Sequence, residues 1–225
     1  MTALHRASKN GHADIVTLLI EHKADVNVGD DDHWTALHYA TMMGHARIVI
    51  NDGGISAYGI YTVVDVWERA LILSSQKGHC HIVSLLIAHK ANVNACTIHG
   101  VTALMTALVE GHIECARLLV LADGIDVNAM SDRGHTALSL AALKGYARMV
   151  ALLIKYKADV NAVATRSDGL LFLGYTALMH ASQQGHVECV RVLLANGADR
   201  YLRAPNGKTA AQLATDERVL RELKK

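Results

Sequence analysis

Thr-Ala-Leu recurs at Thr2, Thr35, Thr102, Thr136 and Thr176, with Thr-Ala-Ala at Thr209. Gly-His recurs in step with it at Gly11, Gly44, Gly78, Gly111 and Gly185, and Gly145-Tyr146 is a variant. Successive glycines of this series lie 33, 34, 33, 34 and 40 residues apart. A period in this range specifies one small supersecondary unit stacked along an axis, each copy burying its apolar face against its neighbours. Length would otherwise suggest one or two globular domains; the period replaces that with a single array over residues 1–225.

Composition fits such an array. Hydrophobic residues make up 51% of the chain, yet it holds one Phe and two Trp, so Ala and Leu must build the core. Pro205 is the only proline, leaving helices uninterrupted. A formal net charge of +1 argues against nucleic acid as a partner. No apolar run reaches 18 residues, so no membrane span is expected. Cys80, Cys96, Cys115 and Cys189 show neither CxxC spacing nor disulfide-framework density, which predicts a reducing, intracellular and cytoplasmic setting.

One unit, residues 2–27, shows how the period becomes structure. Thr2 is placed to cap a short helix running to about Asn10, with Ala3, Leu4 and Ala7 on one apolar face. Gly11 ends it with a left-handed turn. A second helix is predicted from Ala13 to His22, with Ile15, Val16, Leu18 and Leu19 toward the core and Asp14 in the first turn, where the helix dipole favours an anion. Ala24-Asp25-Val26-Asn27 leads into a loop toward the next Thr.

The combined pattern TALH..A...GH..IV.LL....ADVN resembles the ankyrin repeat over essentially the whole chain: about six repeats and C-terminal capping helices. The resemblance implies an all-α solenoid of helix–turn–helix units with projecting hairpin loops. Ala replaces the family's Pro after each Thr, and Lys23, Lys90 and Lys157 stand where the family places the Gly that ends the second helix. Left-handed backbone at those lysines costs roughly 1 kcal/mol each. The segment 51–68 is degenerate: Asn51-Asp52-Gly53-Gly54 replaces the Leu-Leu positions, and the next unit opens at Arg69-Ala70-Leu71 without a capping Thr. Relaxed constraint, a specialised loop and a locally scrambled reading frame all produce such a pattern. Residues 51–66 are predicted to open most easily among the internal segments. Asn161 and Thr176 lie 15 positions apart where other units have 8, so a loop insertion occupies 165–175. The start directly in a first helix reads as part of a longer array, whereas Thr215 to Lys225 reads as a charged closing helix.

Chemistry finds little foothold. Of 14 histidines, seven (His5, His38, His12, His45, His79, His112 and His186) fall on repeat positions, where the family makes structural hydrogen bonds. His79-Cys80-His81 is a poor metal site because adjacent helical residues diverge by about 100°; Cys80 reads as a small apolar filler. Cys115 and Cys189 follow a His at i, i+3, but both fall on a core position. Cys96 reads as an exposed loop thiol. No GxxxxGK[ST], HExxH or GxSxG occurs, and Gly29 to Asp32 reads as a solvated loop rather than a calcium site. No enzyme activity, metal or cofactor is expected.

The resemblance therefore implies a protein-binding module or scaffold acting as a monomer, with a protein partner of unspecified identity. The second reading is the regulatory segment of a larger enzyme such as a kinase; the third is a spacer without a dedicated ligand. Contacts are expected in the loops at Asp31, Asp32, Trp34, Ile98, His99, Val101, Asp132, Arg133 and His135. On the first helices they are expected at Arg6, Tyr39, Met42, Met43, Thr106, Glu110, Lys144, His180 and Gln184. Trp34, Tyr39, Met42 and Met43 are the sharpest candidates, since large apolar and aromatic residues are costly to leave wet. In the inserted loop, Leu171 and Phe172 sit in an apolar run ahead of Tyr175. That run reads either as a binding finger or as a loop folded back over its neighbours.

Overall fold

The computed structural model describes residues 1–26, 28–45, 63–163 and 175–225, with the backbone alone at 63–67. The degenerate stretch up to residue 62 and the inserted loop up to residue 174, including Leu171 and Phe172, lie outside the described residues. Among those described there are thirteen helices, six pairs and one further helix. They are α1 (Ala3–Lys9) and α2 (Ala13–Glu21), then α3 (Ala36–Met43), then α4 (Val63–Lys77) and α5 (Cys80–Ala88). There follow α6 (Ala103–Glu110) with α7 (Ile113–Val120), α8 (Ala137–Leu143) with α9 (Ala147–Lys155), and α10 (Ala177–Gln184) with α11 (Val187–Ala195). The chain closes with α12 (Ala210–Leu213) and α13 (Glu217–Leu223). The first helices α1, α3, α4, α6, α8, α10 and α12 pack in sequence as one layer. Second helices pack likewise as the other, α5 on α7, α7 on α9, α9 on α11 and α11 on α13. The core between them is Ala and Leu with a few Met, Val and Ile. Strand pairing is limited, among the described residues, to isolated bridges at three loop bases, such as Cys96 with Thr102.

Each repeated residue has a bonding task. The Thr hydroxyls cap the first helices, Thr102 accepting from the Met105 amide at 3.3 Å and Thr176 from that of Met179 at 3.2 Å. His5 Nδ1 accepts the Thr2 amide at 2.9 Å, so its proton sits on Nε2, which donates to the Trp34 carbonyl of the next unit at 2.8 Å. The Gly-His pair works across units. His45, His79, His112 and His186 each place Nε2 3.1 Å from a carbonyl near the end of the preceding unit's first helix, at Lys9, Met42, Gln76 and Leu143. The ring then lies over that unit's glycine: a Cβ on Gly145 would meet His186 at 2.8 Å, and its φ is +79°. Glycine is required there twice over. After the last unit, Thr215 Oγ1 donates to the Gln183 carbonyl at 3.0 Å in place of the histidine.

The loops are laddered too. Asn94, Asn128 and Asn161 each donate to a carbonyl of the following unit (Gly124, Lys157 and Gly197) and accept that unit's Asp126, Asp159 or Asp199 amide. Lys23, Lys90 and Lys157 have φ of 64°, 66° and 70°, as their repeat position predicts.

Three expectations need correction. Ile15 and Leu18 are 50% and 54% exposed, while Val16 is fully buried. The equivalent of Ile15 in the fourth unit, Cys115, faces the preceding unit, and among the described residues that side of α2 is left half uncovered. The third unit does not open at Arg69: α4 is already helical at Val63 and runs 15 residues. Without a Thr to define the start, and with no Gly or Pro between Val63 and Arg69, the helix extends backward. Cys80 is not a lone apolar filler: it is half-buried and disulfide-bonded to Cys115, with Cα atoms 4.8 Å apart.

Candidate interaction groove

In the second, fourth, fifth and sixth units two positions face the loop side of the first-helix layer: the residue before the Thr and the fourth residue after it. In order these are Trp34 and Tyr39, Val101 and Thr106, His135 and Leu140, and Tyr175 and His180. Their characters divide the face into three zones.

At the N-terminal end the zone is aromatic. The Trp34 ring lies 5.5 Å from that of Tyr39 and 5.9 Å from His38, His5 meets Tyr39 edge-on at 5.9 Å, and Lys9 Nζ stands 5.5 Å over the Tyr39 ring. The Tyr39 hydroxyl donates to Asp30 at 2.5 Å, and Asp30 also accepts the Asp32 and Trp34 amides. These bonds hold the Asp30 carboxyl below the usual carboxylate range, the Tyr39 hydroxyl first, and the same carboxylate raises the Tyr39 pKa. The acidic run thus uses Asp30 on its own turn and leaves Asp31 and Asp32 exposed. Met43 is 45% exposed; Trp34, Tyr39 and Met42 are half-buried.

The middle zone is a cavity of about 590 Å³ between the fourth and fifth units. Val101, Met105, Val109 and Leu140 supply its apolar wall, and His99, Glu110, Asp132, Arg133 and His135 its polar rim. The two neighbouring loop tips are fastened together. The Asp132 amide donates to the His99 carbonyl at 3.0 Å, and His99 Nδ1 lies 3.7 Å from the Asp132 carboxylate. Ile98 projects from the first tip, 92% exposed. Of the expected contact residues, His99, Val101, Thr106, Glu110, Asp132, Arg133 and His135 come together here.

At the C-terminal end, His180 lies 5.7 Å from His135 and 5.3 Å from Tyr175. The Tyr175 hydroxyl accepts from Asn206 at 3.3 Å. His180 was expected at the exposed face but is only 8% exposed, because Tyr175 and His135 stack over it. Its Nδ1 has no partner among the described residues, and burial, with His135 nearby, lowers its pKa to about 4. Burial and then Arg133 lower that of His135 as well.

Met105, Val109, Ser131 and Leu140 also line the cavity but were not anticipated. Leu140 was legible, since it occupies the register of Tyr39 and Thr106. Among the described residues no group of three His, Cys, Asp or Glu is placed to hold a metal, and no helix is long and apolar enough to cross a membrane.

The family model for ankyrin repeats (3 copies) matches residues 1–51, 61–131, 121–204 and 163–223. The chain is 30% identical over 214 residues to the probable E3 ubiquitin-protein ligase XBOS33 of Oryza sativa subsp. japonica, covering 92% of this chain and 34% of that protein. It is 35% identical over 210 residues to transient receptor potential cation channel subfamily A member 1 of Drosophila melanogaster, covering 88% of this chain and 17% of the channel. The chain thus spans about a third of the first relative and less of the second. Among solved structures, the human ASB11 ankyrin repeat domain superposes with a TM-score of 0.78 at 23% identity, covering 99% of this chain and 98% of that one. The Bcl-3 ankyrin repeat domain gives 0.79 at 23%, covering 100% and 99%.

Proposed function

The chain belongs to the ankyrin-repeat family, and we propose that it is a non-catalytic protein-binding module that takes its partner on the loop side of the first-helix layer. Ankyrin repeats are generally protein–protein interaction modules. The observation that carries the placement is the cavity between the fourth and fifth units, an apolar wall with a polar rim, beside the wet side chain of Ile98. An apolar centre ringed by polar groups is the usual anatomy of a protein interface. Trp34, Tyr39, Met42 and Met43 extend the surface at one end and Tyr175 at the other, with Asp31 and Asp32 at the first loop tip; Leu171 and Phe172 belong to the same reading. The module acts as a monomer in an intracellular, cytoplasmic setting; the near-neutral charge speaks against nucleic acid as its partner.

The test is comparative capture. Ile98→Ser with Val109→Arg alters two exposed residues, so helical content and melting temperature should hold while the wild-type partner is lost. An unchanged set of captured proteins would sink the placement.

A second reading has its own support. The relatives named as ubiquitin ligases are about three times longer than the matched region, so an array of this kind can be the targeting part of a larger enzyme. The extent of the full open reading frame separates the two.

A further inference from the structure

In the second-helix layer, the repeat register sets the first residue of one helix against the third residue of the next. At the joint of the fourth and fifth units these are Ile113 and Met149, and at the next joint Ala147 and Cys189. At the joint of the third and fourth units both positions carry sulfur, Cys80 and Cys115, and the two are bonded. The other two cysteines are free, Cys96 exposed and Cys189 buried.

The partners differ in access. Cys115 is 0% exposed, whereas Cys80 is half-buried at the mouth of α5. Cys80 Sγ also lies 3.5 Å from the Gly78 carbonyl oxygen, so a thiol there has an acceptor in reach. As a dithiol the pair fills positions that hold Ile, Met or Ala in other joints. As a disulfide it ties α5 to α7 across 35 residues of chain. The two positions thus suit small apolar side chains as well as a bridge, and Cys80 is the more accessible of the two residues.

We propose that Cys80 and Cys115 form a thiol–disulfide site that staples the third unit to the fourth in response to low-molecular-weight disulfides of the glutathione class. The Cys80 thiolate attacks one sulfur of oxidised glutathione, forming a mixed disulfide and releasing one glutathione thiolate. The Cys115 thiolate then attacks Cys80 Sγ, forming the protein bridge and releasing the second glutathione. Two electrons pass from the protein to glutathione, and the protein's two thiol protons end on the two glutathione thiols. Reduction runs the steps in reverse, with glutathione thiolate attacking the accessible Cys80 sulfur. The staple sits between the N-terminal units and the cavity of the fourth and fifth, so it sets how firmly the two halves are joined. A bridge closing a loop of this length restricts the unfolded chain strongly.

The experiment equilibrates the full chain in reduced and in oxidised glutathione, maps its disulfides by peptide mass spectrometry, and records melting in each. The oxidised chain should yield one cross-linked peptide pair containing Cys80 and Cys115. It should melt about 6–15 °C higher than the reduced chain. Cys80→Ala and Cys115→Ala should each abolish both the cross-link and the redox dependence of melting. Glutathione adducts on Cys80 or Cys96 without the cross-link would overturn the proposal, as would a cross-link that leaves melting unchanged. The wild-type comparison decides the matter even where a variant folds poorly.

Discussion

At the third position of the second helix, Met149 in the fifth unit is 3% exposed and Ile15 in the first is 50% exposed. The same repeat position is core in one place and half wet in the other, because a unit of this kind buries that residue against its neighbour. A parallel contrast holds in the first-helix layer. His5 uses both ring nitrogens, whereas His38, one unit later, leaves Nε2 without a partner among the described residues. The carbonyl that His38 would meet belongs to Glu68, which lies inside α4 and points along its own helix. From the fourth unit onward the Asn ladder and the buried second helices run without such a gap. Position within a unit thus predicts a residue's task, and the neighbouring unit decides whether the task is performed.

The largest test of this difference compares Met149→Ala with Ile15→Ala. Removing the buried side chain should cost about 2–5 kcal/mol, and removing the half-exposed one less than about 1 kcal/mol. Urea melts would measure both. Equal losses would mean that the first unit is as well packed as the fifth.

The two buried histidines give a pH test. Burial, with Arg69 nearby, lowers His38 to about 4, and burial with His135 lowers His180 to about 4. Their folded values lie below the unfolded value near 6.5, so the unfolded chain binds the proton first. Stability is full above about pH 6.5, falls as pH drops, and levels off below about pH 4, with a loss of roughly 3 kcal/mol per histidine. His180→Leu uses the residue found at this position in the fifth unit, Leu140. It should remove the His180 share of that slope in the C-terminal half and leave the His38 share in the N-terminal half. An unchanged slope would sink the assignment.

Gly145→Ala and Gly197→Ala separate two reasons for glycine. Both positions have positive φ, which costs roughly 1 kcal/mol for alanine. A Cβ at Gly145 would also meet the His186 ring at 2.8 Å, whereas at Gly197 nothing lies within 4 Å. The Gly145 variant should lose about 1–3 kcal/mol more, and losses of the same size would show that the His186 ring yields freely.

Much of this was legible because period and register carry it. Thr2 and Gly11 could be assigned from their spacing, and the lysines with positive φ from the glycine that the family places there. Cavity residues such as His99 and Arg133 followed from the family's loop positions. What register could not give were the pairings that depend on identity in two units at once. Cys80 and Cys115 are 35 residues apart, and each alone reads as a small core residue. His180 was misplaced for a similar reason: its exposure depends on rings supplied by His135 and Tyr175. For Ile15 the register names a core site, yet among the described residues half of it is left uncovered.

The smallest effect concerns the lysines that end the second helices. Lys157 has φ of 70° where the sixth unit has Gly197 at 85°. Glycine there relieves roughly 1 kcal/mol of backbone strain but gives the unfolded chain more freedom, which offsets part of the gain. The lysine charge near the helix C-terminus is itself favourable by about 0.3–1 kcal/mol and is lost in the exchange. Lys157→Gly should therefore change stability by no more than about 1 kcal/mol, while Lys157→Ala keeps the strain, loses the charge and should be the less stable of the two. The difference between the variants is the strain less the offset from glycine's freedom in the unfolded chain. Made at Lys23, the same pair of variants should give the same local difference, because left-handed backbone costs the same wherever it stands. A difference at Lys23 that nearly vanishes in the global melt would show that the first unit opens separately, ahead of the units that hold the groove.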